Sequence, residues 1–493
     1  MEVAFVSAPG AFEGQALAVL AVEGQEFSAN ARQHDAASGG ALLRAAAMRG
    51  FTGKAGETLD LIAPPGKGLS SLCVIGAGPK PDSLAVERAG ADAMAGVRTS
   101  GADILTLDFD VAPALAAQAA LGAVLAAYSF DRYRTGPSPY GDTSITRVEV
   151  VTGDPEAARA IWASMKAVAD GVILARDLVN EPANILHPEE FGRRMAALAA
   201  LGIEVEILGE AAMEALGMGS LLSVGLGSRR ESQLVVMRWN GADDPAAPPL
   251  GLVGKGVCFD SGGLSLKMAV DIMEDMKWDM GGAAAIAGLL HTLAVRKAKV
   301  NVVGVLGLVE NMPDGNATRP SDVVTSMSGK TIEIINIDAE GRLVLADALF
   351  YCAERFKPSF MIDLATLTGA MNVSLGNDLA GLFANDETLC AQLLQAGQDE
   401  GEQLWRLPLH PAYEKQLDSR IADIRNIGES AGRSIIAALF LQRFTAGVPW
   451  AHLDINPVVW AKTGTRAVTP VGATGFGVRL LNRLVADYFE TGA

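Results

Sequence analysis

The chain has 493 residues, 49% of them hydrophobic and 6% aromatic, and its formal net charge is −17. This length predicts at least two domains with a sizeable core. The acidic balance argues against nucleic acid and membranes as partners, because DNA, RNA and anionic lipids all repel a negative surface. No uninterrupted apolar stretch of about 18 residues occurs, so a transmembrane helix is not expected.

Cysteine usage and the first residues predict the cellular environment. Four scattered cysteines, with no CxxC and no Cys/His pair, argue against a zinc finger and a disulfide framework. The opening run "MEVAFVSAPGAFEGQ" has neither the basic stretch nor the long apolar stretch of a secretory signal. We therefore expect a soluble, reduced protein in the cytoplasm.

The first part of the chain alternates short apolar runs with Ala-rich stretches. The runs at 71–78 and 102–109 are typical of buried strands, and those at 82–98 and 112–130 are typical of helices. This alternation predicts a small α/β domain. No cluster of chemically active residues lies within it.

A domain boundary is predicted at "YRTGPSPYGDTS", residues 133–144, which is rich in turn residues. A helical pattern follows over 155–182 and is long enough to connect two domains. We expect an N-terminal α/β domain over 1–155, a connecting helix over 156–182 and a second domain over 183–493.

The second domain contains longer apolar runs that predict strands, separated in several places by helical patterns such as 281–295. The predicted strands are 204–208, 233–239, 250–257, 300–309, 331–335, 359–367 and 450–455. Nearly continuous apolar strands with intervening helices predict a larger α/β domain, whose mostly parallel, mixed central sheet is covered by helices. In such sheets the ligand site lies beyond the carboxyl ends of the strands.

Charged residues follow one of these strands at close spacing. The run "LVGKGVCFDSGGLSLK", residues 252–267, contains Lys255, Asp260 and Lys267. Asp279 stands a little further on, just before the small-residue helix pattern. Each has an ordinary alternative, because an aspartate often caps a helix and isolated lysines are usually surface charges.

A second charged group lies in "NIDAEGRLVLADAL", residues 336–349, directly after the predicted strand 331–335. Asp338, Glu340 and Arg342 are spaced two residues apart, so an extended backbone would point them to the same side. We expect them at the carboxyl edge of the main sheet, facing a crevice. A lone DxE pair at this place is more often a surface loop or a helix cap.

Four carboxylates in one partly dry crevice would need compensating charge. Two lysines offset two of them, whereas two divalent cations offset all four. Oxygen-rich ligands suit Mg²⁺, Mn²⁺ or Zn²⁺, and paired ions bridged by carboxylates are a common device for hydrolysis.

The second half of the chain resembles the leucyl (cytosol) aminopeptidases. "NIDAEGRLVLADAL" is similar to the NTDAEGRL signature of that family. Further similar blocks occur in the family's order at 179–191, 255–267, 273–285, 311–334, 363–371 and 472–481. The first 150 residues match only in general character, as the family's variable N-terminal α/β domain.

This resemblance implies a two-metal aminopeptidase that removes the N-terminal residue of a peptide, preferably Leu or another apolar residue, by means of a metal-bridged hydroxide. It implies two divalent ions per subunit, Mn²⁺ or Zn²⁺, and a bicarbonate at Arg342. The expected partners are peptides with a free N-terminus and further copies of the chain, in a hexamer. Two alternatives stay open: a scaffold or regulatory binding protein that keeps the site unused, and a metallohydrolase of other amides, such as Cys-Gly dipeptides.

The resemblance also assigns roles to single residues. The implied metal ligands are Lys255, Asp260, Asp279, Asp338 and Glu340. The implied catalytic residues are Lys267 and Arg342. The implied substrate contacts are Met276, Asn336, Thr366, Leu367, Gly369 and Ala473.

The sequence departs from the family pattern in four places. Ile337 replaces the Thr of the signature, and one extra residue stands around "MAVDI", residues 268–272. The runs at 432–440 and 452–460 also differ from the usual pattern. No implied ligand is lost, so these departures bear on the preferred substrate side chain and not on the activity.

Overall fold

The computed structural model describes residues 1–10, 12–66, 68–137, 143–463 and 468–490. Residues 138–142 of the predicted boundary segment lie outside this set. The chain divides into two compact units, Met1–Ala169 with Thr463–Val471 and Asp170–Lys462 with Gly472–Ala493. The domain limits expected at 155 and 183 stay a prediction.

The first unit contains one sheet with helices between its strands. Its strands are β1 (Glu2–Val6), β2 (Ala16–Ala21), β3 (Thr58–Ile62), β4 (Ser71–Gly76), β5 (Ile104–Asp108) and β6 (Arg147–Val151). Its helices are α1 (Ala29–Ala37), α2 (Ala41–Arg49), α3 (Ser83–Val97), α4 (Pro113–Ala126) and the start of α5 (Pro155–Asn180), which continues into the second unit. The strand order is β1-β6-β5-β2-β4-β3, and only the β3–β4 pair is antiparallel.

The second unit is larger and holds most of the strands. These are β7 (Glu204–Leu208), β8 (Gln233–Asn240), β9 (Leu250–Asp260), β10 (Asn301–Asn311), β11 (Asp322–Thr325), β12 (Thr331–Ile334), β13 (Met361–Ala365), β14 (Ala380–Ala384), β15 (Leu404–Arg406), β16 (Ile424–Arg425), β17 (Trp450–Asp454), β18 (Trp460–Ala461) and β19 (Gly472–Ala473).

The α-helices of the second unit begin before its first strand and continue after its last one. They are α6 (Pro188–Ala196), α7 (Glu210–Ala215), α8 (Gly219–Gly225), α9 (Val270–Met273), α10 (Gly281–Val295), α11 (Gly341–Phe356), α12 (Ala370–Leu375), α13 (Glu387–Glu400), α14 (Arg433–Gln442) and α15 (Val478–Tyr488). Short 3₁₀ helices span Ala197–Leu201, Glu274–Trp278 and Pro411–Leu417.

The main sheet has eight strands in the order β15-β14-β17-β13-β9-β10-β8-β7. The four central strands are parallel, and antiparallel pairs occur towards both edges. Strands β9 and β10 are buried along nearly their whole length, as expected for strands covered on both faces. The predicted fold class, a small α/β domain plus a larger one with a mostly parallel, mixed sheet covered by helices, is therefore confirmed.

The strand predicted at 331–335 does not belong to this sheet. Strand β12 pairs with β11 and β16 in a separate three-stranded sheet. After it, Ile337 and Asp338 form a turn, and helix α11 begins at Gly341. The predicted extended alternation of Asp338, Glu340 and Arg342 is therefore wrong, because a β-branched run predicts a strand without predicting which sheet it joins.

Helix α10 packs directly on the main sheet because its start is made of small residues. A Cβ at Gly282 would lie 1.9 Å from the carbonyl oxygen of Leu364 in β13. Backbone cannot move away from such a contact as a flexible side chain can. Gly282 thus sets how closely α10, and the aspartate just before it, approaches strand β13.

Two observations bear on the environment of the protein. None of the described helices combines the length and the apolar composition that crossing a membrane requires. All four cysteines are buried and unpaired. The predicted absence of a disulfide framework is consistent with this arrangement, and the cytoplasmic location stays a prediction.

We expect Gly282→Ala to destabilise the second unit by about 1–3 kcal/mol, because overpacking against backbone forces the helix away from the sheet. Differential scanning calorimetry should show a lower melting temperature. Gly96→Ala in α3 is the matched control, since its Cβ would meet nothing closer than Asp60 Oδ1 at 3.6 Å. Equal melting temperatures for the two variants would contradict the proposed close contact.

Candidate metal centre and active site

Lys255 occupies the centre of the site. It comes from the middle of β9 and its side chain is 3% exposed. Its Nζ donates to the Asp279 carboxylate at 2.8 Å and to the carbonyl of Thr366 at 2.7 Å, and it lies 2.8 Å from Glu340 Oε1. A Cβ at Gly341 would lie 2.6 Å from Lys255 Cε, so this glycine leaves room for the lysine. One side chain thus joins three separate segments.

Asp260 ends the same strand and is fixed by three donors. Its Oδ1 accepts from the Gly262 N–H at 2.9 Å and from Asn311 Nδ2 at 2.7 Å, and its Oδ2 pairs with Lys267 Nζ. Asn311, at the end of β10, also donates to the carbonyl of Ile337 at 3.2 Å. The amide of Asn311 therefore links Asp260 to the segment that contains Asp338.

Lys267 bridges two carboxylates on the more open side of the site. Its Nζ pairs with both Asp260 and Asp338. The side chains of Asp338 and Lys267 are 34% and 14% exposed, whereas those of the other charged residues around Lys255 are at most 5% exposed. The N–H of Asp338 donates to Asn336 Oδ1 at 2.9 Å, which holds the turn before α11.

The three most buried carboxylates fit a cation. Asp260, Asp279 and Glu340 each place one carboxylate oxygen within 4.8 Å of the others. Oδ2 of Asp279 is buried and has no hydrogen-bond partner among the described residues. Hard divalent cations bind carboxylate oxygen, and an unsatisfied buried carboxylate oxygen is a position that such an ion would satisfy.

The two carboxylates paired with Lys255 have pKa values shifted in opposite directions. Burial alone would lower the pKa of Lys255, but the neighbouring carboxylates raise it above the ordinary value. Burial acts to raise the pKa of Glu340, yet the ammonium groups of Lys255 and Lys267 lower it to about 2. For Asp279 burial dominates and raises the pKa well above its usual range. Glu340 is therefore ionised, while Asp279 retains a proton more readily.

The pKa values of the remaining two carboxylates, Asp260 and Asp338, are also raised. Burial, together with the charges of Asp260 and Glu340, raises the pKa of Asp338 to about 7. Burial likewise raises the pKa of Asp260, with Glu340 adding to the effect. Because two lysine ammonium groups face four carboxylates, the site has capacity for additional positive charge.

Arg342 lies beside this cluster on the second residue of α11. Its Nη1 donates to the carbonyl of Asn426 at 2.7 Å, and its buried Nε has no partner among the described residues. Burial lowers the pKa of Arg342 to about 10, against the opposing charges of Glu340 and Asp454. The guanidinium is still charged at neutral pH.

The loop after β13 is held by a residue that the sequence did not single out, Asp454. Its Oδ1 accepts from the N–H groups of Leu367 at 3.1 Å and Thr368 at 3.4 Å, and its Oδ2 accepts from Thr368 Oγ1 at 2.7 Å. In the same loop Thr366 Oγ1 donates to Asp279 Oδ1 at 2.7 Å. The available signal was that Asp454 lies near the end of the predicted apolar strand 450–455.

Asn426 is a second residue that sequence reasoning missed. It is fully buried, accepts from the N–H of Ile335 at 2.9 Å and donates to the carbonyl of Asn336 at 2.7 Å. Its own carbonyl accepts from Arg342. Asn426 lies just after the two-residue strand β16, where no periodic pattern indicates a role.

The implied substrate contacts lie in several elements. Met276 is buried in the 3₁₀ helix Glu274–Trp278, and Gly369 caps α12. Ala473 lies in β19, where its N–H donates to Asn180 Oδ1 at 3.3 Å. Thr366 contacts both Lys255 and Asp279, and the carbonyl of Met276 accepts from the N–H of Asp279 at 3.4 Å.

Comparison with known families agrees with this arrangement. Residues 173–482 match the model of the cytosol aminopeptidase family, catalytic domain, and residues 18–137 match the N-terminal domain of the same family. A probable cytosol aminopeptidase of Caulobacter vibrioides is 59% identical over 477 residues, covering 96% of this chain and 97% of the relative. One of Rhodopseudomonas palustris is 50% identical over 483 residues, covering 96% of each chain.

Solved structures show the same fold. A mutant of tomato leucine aminopeptidase has a TM-score of 0.88 and 31% identity, covering 98% of this chain and 96% of its own. A bottromycin maturation enzyme in complex with Mn has a TM-score of 0.83 and 36% identity, covering 96% of this chain and 99% of its own. The chain belongs to the cytosol (leucyl) aminopeptidase family, and membership implies metal-dependent hydrolysis of N-terminal peptide bonds.

Proposed function

We propose that this chain is a two-metal aminopeptidase that removes the N-terminal residue of peptides, preferably Leu or another apolar residue. The supporting observation is the convergence of Asp260, Asp279 and Glu340 around Lys255, with carboxylate oxygens within 4.8 Å of one another. The unpartnered Oδ2 of Asp279 adds to this support. A scaffold without catalysis would have no need to keep so costly a group of buried charges.

The proposed ligands form one set of five. They are Lys255, Asp260, Asp279, Asp338 and Glu340. Mn²⁺ or Zn²⁺ are the proposed ions, two per chain, and Asp260 and Glu340 would contribute to holding both. When bound, such ions supply a hydroxide near neutral pH and polarise the scissile carbonyl. Lys255 has a lone pair only as a neutral amine, so it joins the set by losing a proton.

Lys267 and Arg342 perform the remaining chemistry in this proposal. The Lys267 ammonium, held between Asp260 and Asp338, donates hydrogen bonds to the carbonyl oxygen as negative charge develops on it. Arg342 is already protonated near neutral pH, so it cannot act as a general base. Its guanidinium would instead hold a bicarbonate, a planar anion that suits paired N–H donors, and a bound bicarbonate would supply the proton-accepting oxygen that arginine lacks.

Substrate selection is assigned to residues around the loop after β13. Met276, Thr366, Gly369 and Ala473 are proposed to line the pocket for the first side chain, and their small or apolar character favours Leu. Asn336 is proposed to contact the substrate, and the carbonyl of Leu367 is proposed to accept from the peptide. The fixed backbone of Leu367, held by Asp454, supports that role.

Assembly and location are proposed from the family resemblance. We propose a cytoplasmic hexamer with an N-terminal domain over 1–155, a connecting helix over 156–182 and a catalytic domain over 183–493. Analytical ultracentrifugation measures the assembly directly. A monomer at micromolar concentration would refute the hexamer, but it would not contradict the proposed aminopeptidase activity.

Metal binding should release protons. The pKa of Lys255 is raised above its ordinary value and that of Asp338 to about 7, so both bind protons near neutral pH. Metal ligation requires their deprotonated forms, so Mn²⁺ affinity should rise with pH and fall as pH decreases. Isothermal titration calorimetry in two buffers of different ionisation enthalpy should give two ions per chain and net proton release. Affinity independent of pH would contradict the ligand set.

Lys267→Ala should lower kcat by about 10²–10³-fold while the metal content stays near normal, because an oxyanion donor acts mainly in the transition state. The matched control is Lys299→Ala, which removes an exposed lysine paired with Asp243 and should leave kcat unchanged. Elemental analysis accompanies the kinetics. Loss of metal in the Lys267 variant would reassign this residue as a ligand, and a wild-type kcat would remove it from the mechanism.

A free substrate amine should be required. Leu-p-nitroanilide should be hydrolysed, whereas N-acetyl-Leu-p-nitroanilide should not. Acetylation delocalises the lone pair of the amine, so the amine could no longer bind a metal ion and position the substrate. The two rates are measured side by side at saturating Mn²⁺. Comparable turnover of the blocked substrate would overturn the aminopeptidase assignment in favour of hydrolysis of other amides.

A further inference from the structure

Residues 335–340 connect strand β12 to helix α11 and contain no helix or strand of their own. Four residues assigned to the proposed site lie on this segment or just after it: Asn336, Asp338, Glu340 and Arg342. An irregular segment has no repeating hydrogen bonds to define its path. Contacts from other parts of the chain must therefore fix the positions of these four residues.

The side chain of Asn426 makes several of these contacts. Asn426 is fully buried and directly follows the two-residue strand β16. Its Oδ1 accepts from the N–H groups of Ile335 at 2.9 Å and Asn336 at 3.4 Å, and its Nδ2 donates to the carbonyl of Asn336 at 2.7 Å. Asn336 Oδ1 in turn accepts from the N–H of Asp338 at 2.9 Å. One buried amide thus fixes the start of the segment and, through Asn336, the backbone of Asp338.

The main chain of Asn426 contacts the two elements on either side of the segment. Its N–H donates to the carbonyl of Glu333 in β12 at 3.0 Å, and its carbonyl accepts from Arg342 Nη1 in α11 at 2.7 Å. Because these bonds and the side-chain bonds belong to one residue, the position of the Arg342 guanidinium is tied to the positions of Asn336 and Asp338.

We propose that Asn426 is a positioning residue of the active site, which keeps Asn336, Asp338 and Arg342 in fixed positions relative to one another. This proposal rests on the proposed two-metal aminopeptidase function and adds a residue outside its sets of metal ligands and substrate contacts. An amide suits this task because it offers a donor and an acceptor on one short planar group, and so binds both an N–H and a carbonyl of the segment. An ionised carboxylate offers only acceptors, and an aliphatic side chain offers neither.

The test compares two variants of Asn426 with the wild-type enzyme. Asn426→Ala removes the side-chain contacts and leaves the main-chain carbonyl. It should lower kcat for Leu-p-nitroanilide and the affinity for Mn²⁺, each about 10–100-fold, because a ligand without its supporting hydrogen bonds binds a metal less well. Isothermal titration calorimetry measures the Mn²⁺ affinity, and differential scanning calorimetry of the metal-free protein measures any loss of stability.

Asn426→Asp is the second variant. It keeps the shape of the side chain and one acceptor oxygen, but it places another oxygen against the carbonyl of Asn336 in place of the donor. It should lower kcat and Mn²⁺ affinity in the same direction, and its result decides the test if Asn426→Ala does not fold.

Asn301→Ala is the matched control. Asn301 is 5% exposed, lies at the start of β10 and holds a different irregular segment through the same kinds of bond. Its Oδ1 accepts from the N–H of Ala242 at 3.2 Å, and its Nδ2 donates to the carbonyls of Asp244 at 3.1 Å and Ala247 at 3.2 Å. This variant should lower the melting temperature and keep the wild-type kcat and Mn²⁺ affinity.

The proposal is overturned if a folded Asn426 variant keeps the wild-type kcat and Mn²⁺ affinity. It is also overturned if Asn301→Ala lowers both quantities as much as the Asn426 variants do, because the losses would then reflect general destabilisation. A wild-type enzyme that neither binds Mn²⁺ nor hydrolyses Leu-p-nitroanilide would instead refute the proposed function itself.

Discussion

The need to balance buried charge governs this structure. Four carboxylates and two lysine ammonium groups lie within one site, and most of their side chains are at most 5% exposed. Such a group is stable only if each charge is paired and hydrogen-bonded. Lys255 and Lys267 pair with all four carboxylates between them, but two positive charges formally balance only two of the four negative ones. Burial, with neighbouring carboxylates adding to it, raises the pKa values of Asp279 and Asp338. This arrangement of carboxylates is therefore suited to bind added cations.

The fold meets this need by bringing several chain segments to the carboxyl ends of neighbouring parallel strands. Strand β9 supplies Lys255 and Asp260, and its neighbour β13 leads into the loop whose Thr366 contacts both Lys255 and Asp279. Strand β17, next to β13, ends in Asp454, which fixes that loop through backbone N–H groups. The close approach of α10 through Gly282 keeps Asp279 near the sheet. The packing of α10 and of the loop after β13 thus places the charged side chains where they pair.

Much of this could be predicted from the sequence. The apolar strands, the small-residue helix 281–295 and the charged groups that follow strands are local patterns, and local patterns are visible in a single sequence. The path of residues 336–342 could not be predicted, because the four-residue strand β12 has the same composition whichever sheet it joins. Asn426 and Asp454 were missed because their roles consist of hydrogen bonds to residues that are about 85–90 positions away in sequence. Only the tertiary fold makes such contacts, and no spacing rule identifies them.

The central proposal is that two divalent ions balance the excess negative charge of the four carboxylates around Lys255 and Lys267. Anomalous diffraction from crystals loaded with Mn²⁺ tests this most directly. The account predicts two anomalous peaks per chain, both within bonding distance of Asp260 and Glu340, with Asp279 and Asp338 among their ligands and the Lys255 Nζ displaced from its ion pairs. A single peak, or peaks located away from these carboxylates with the lysine ion pairs intact, would contradict it.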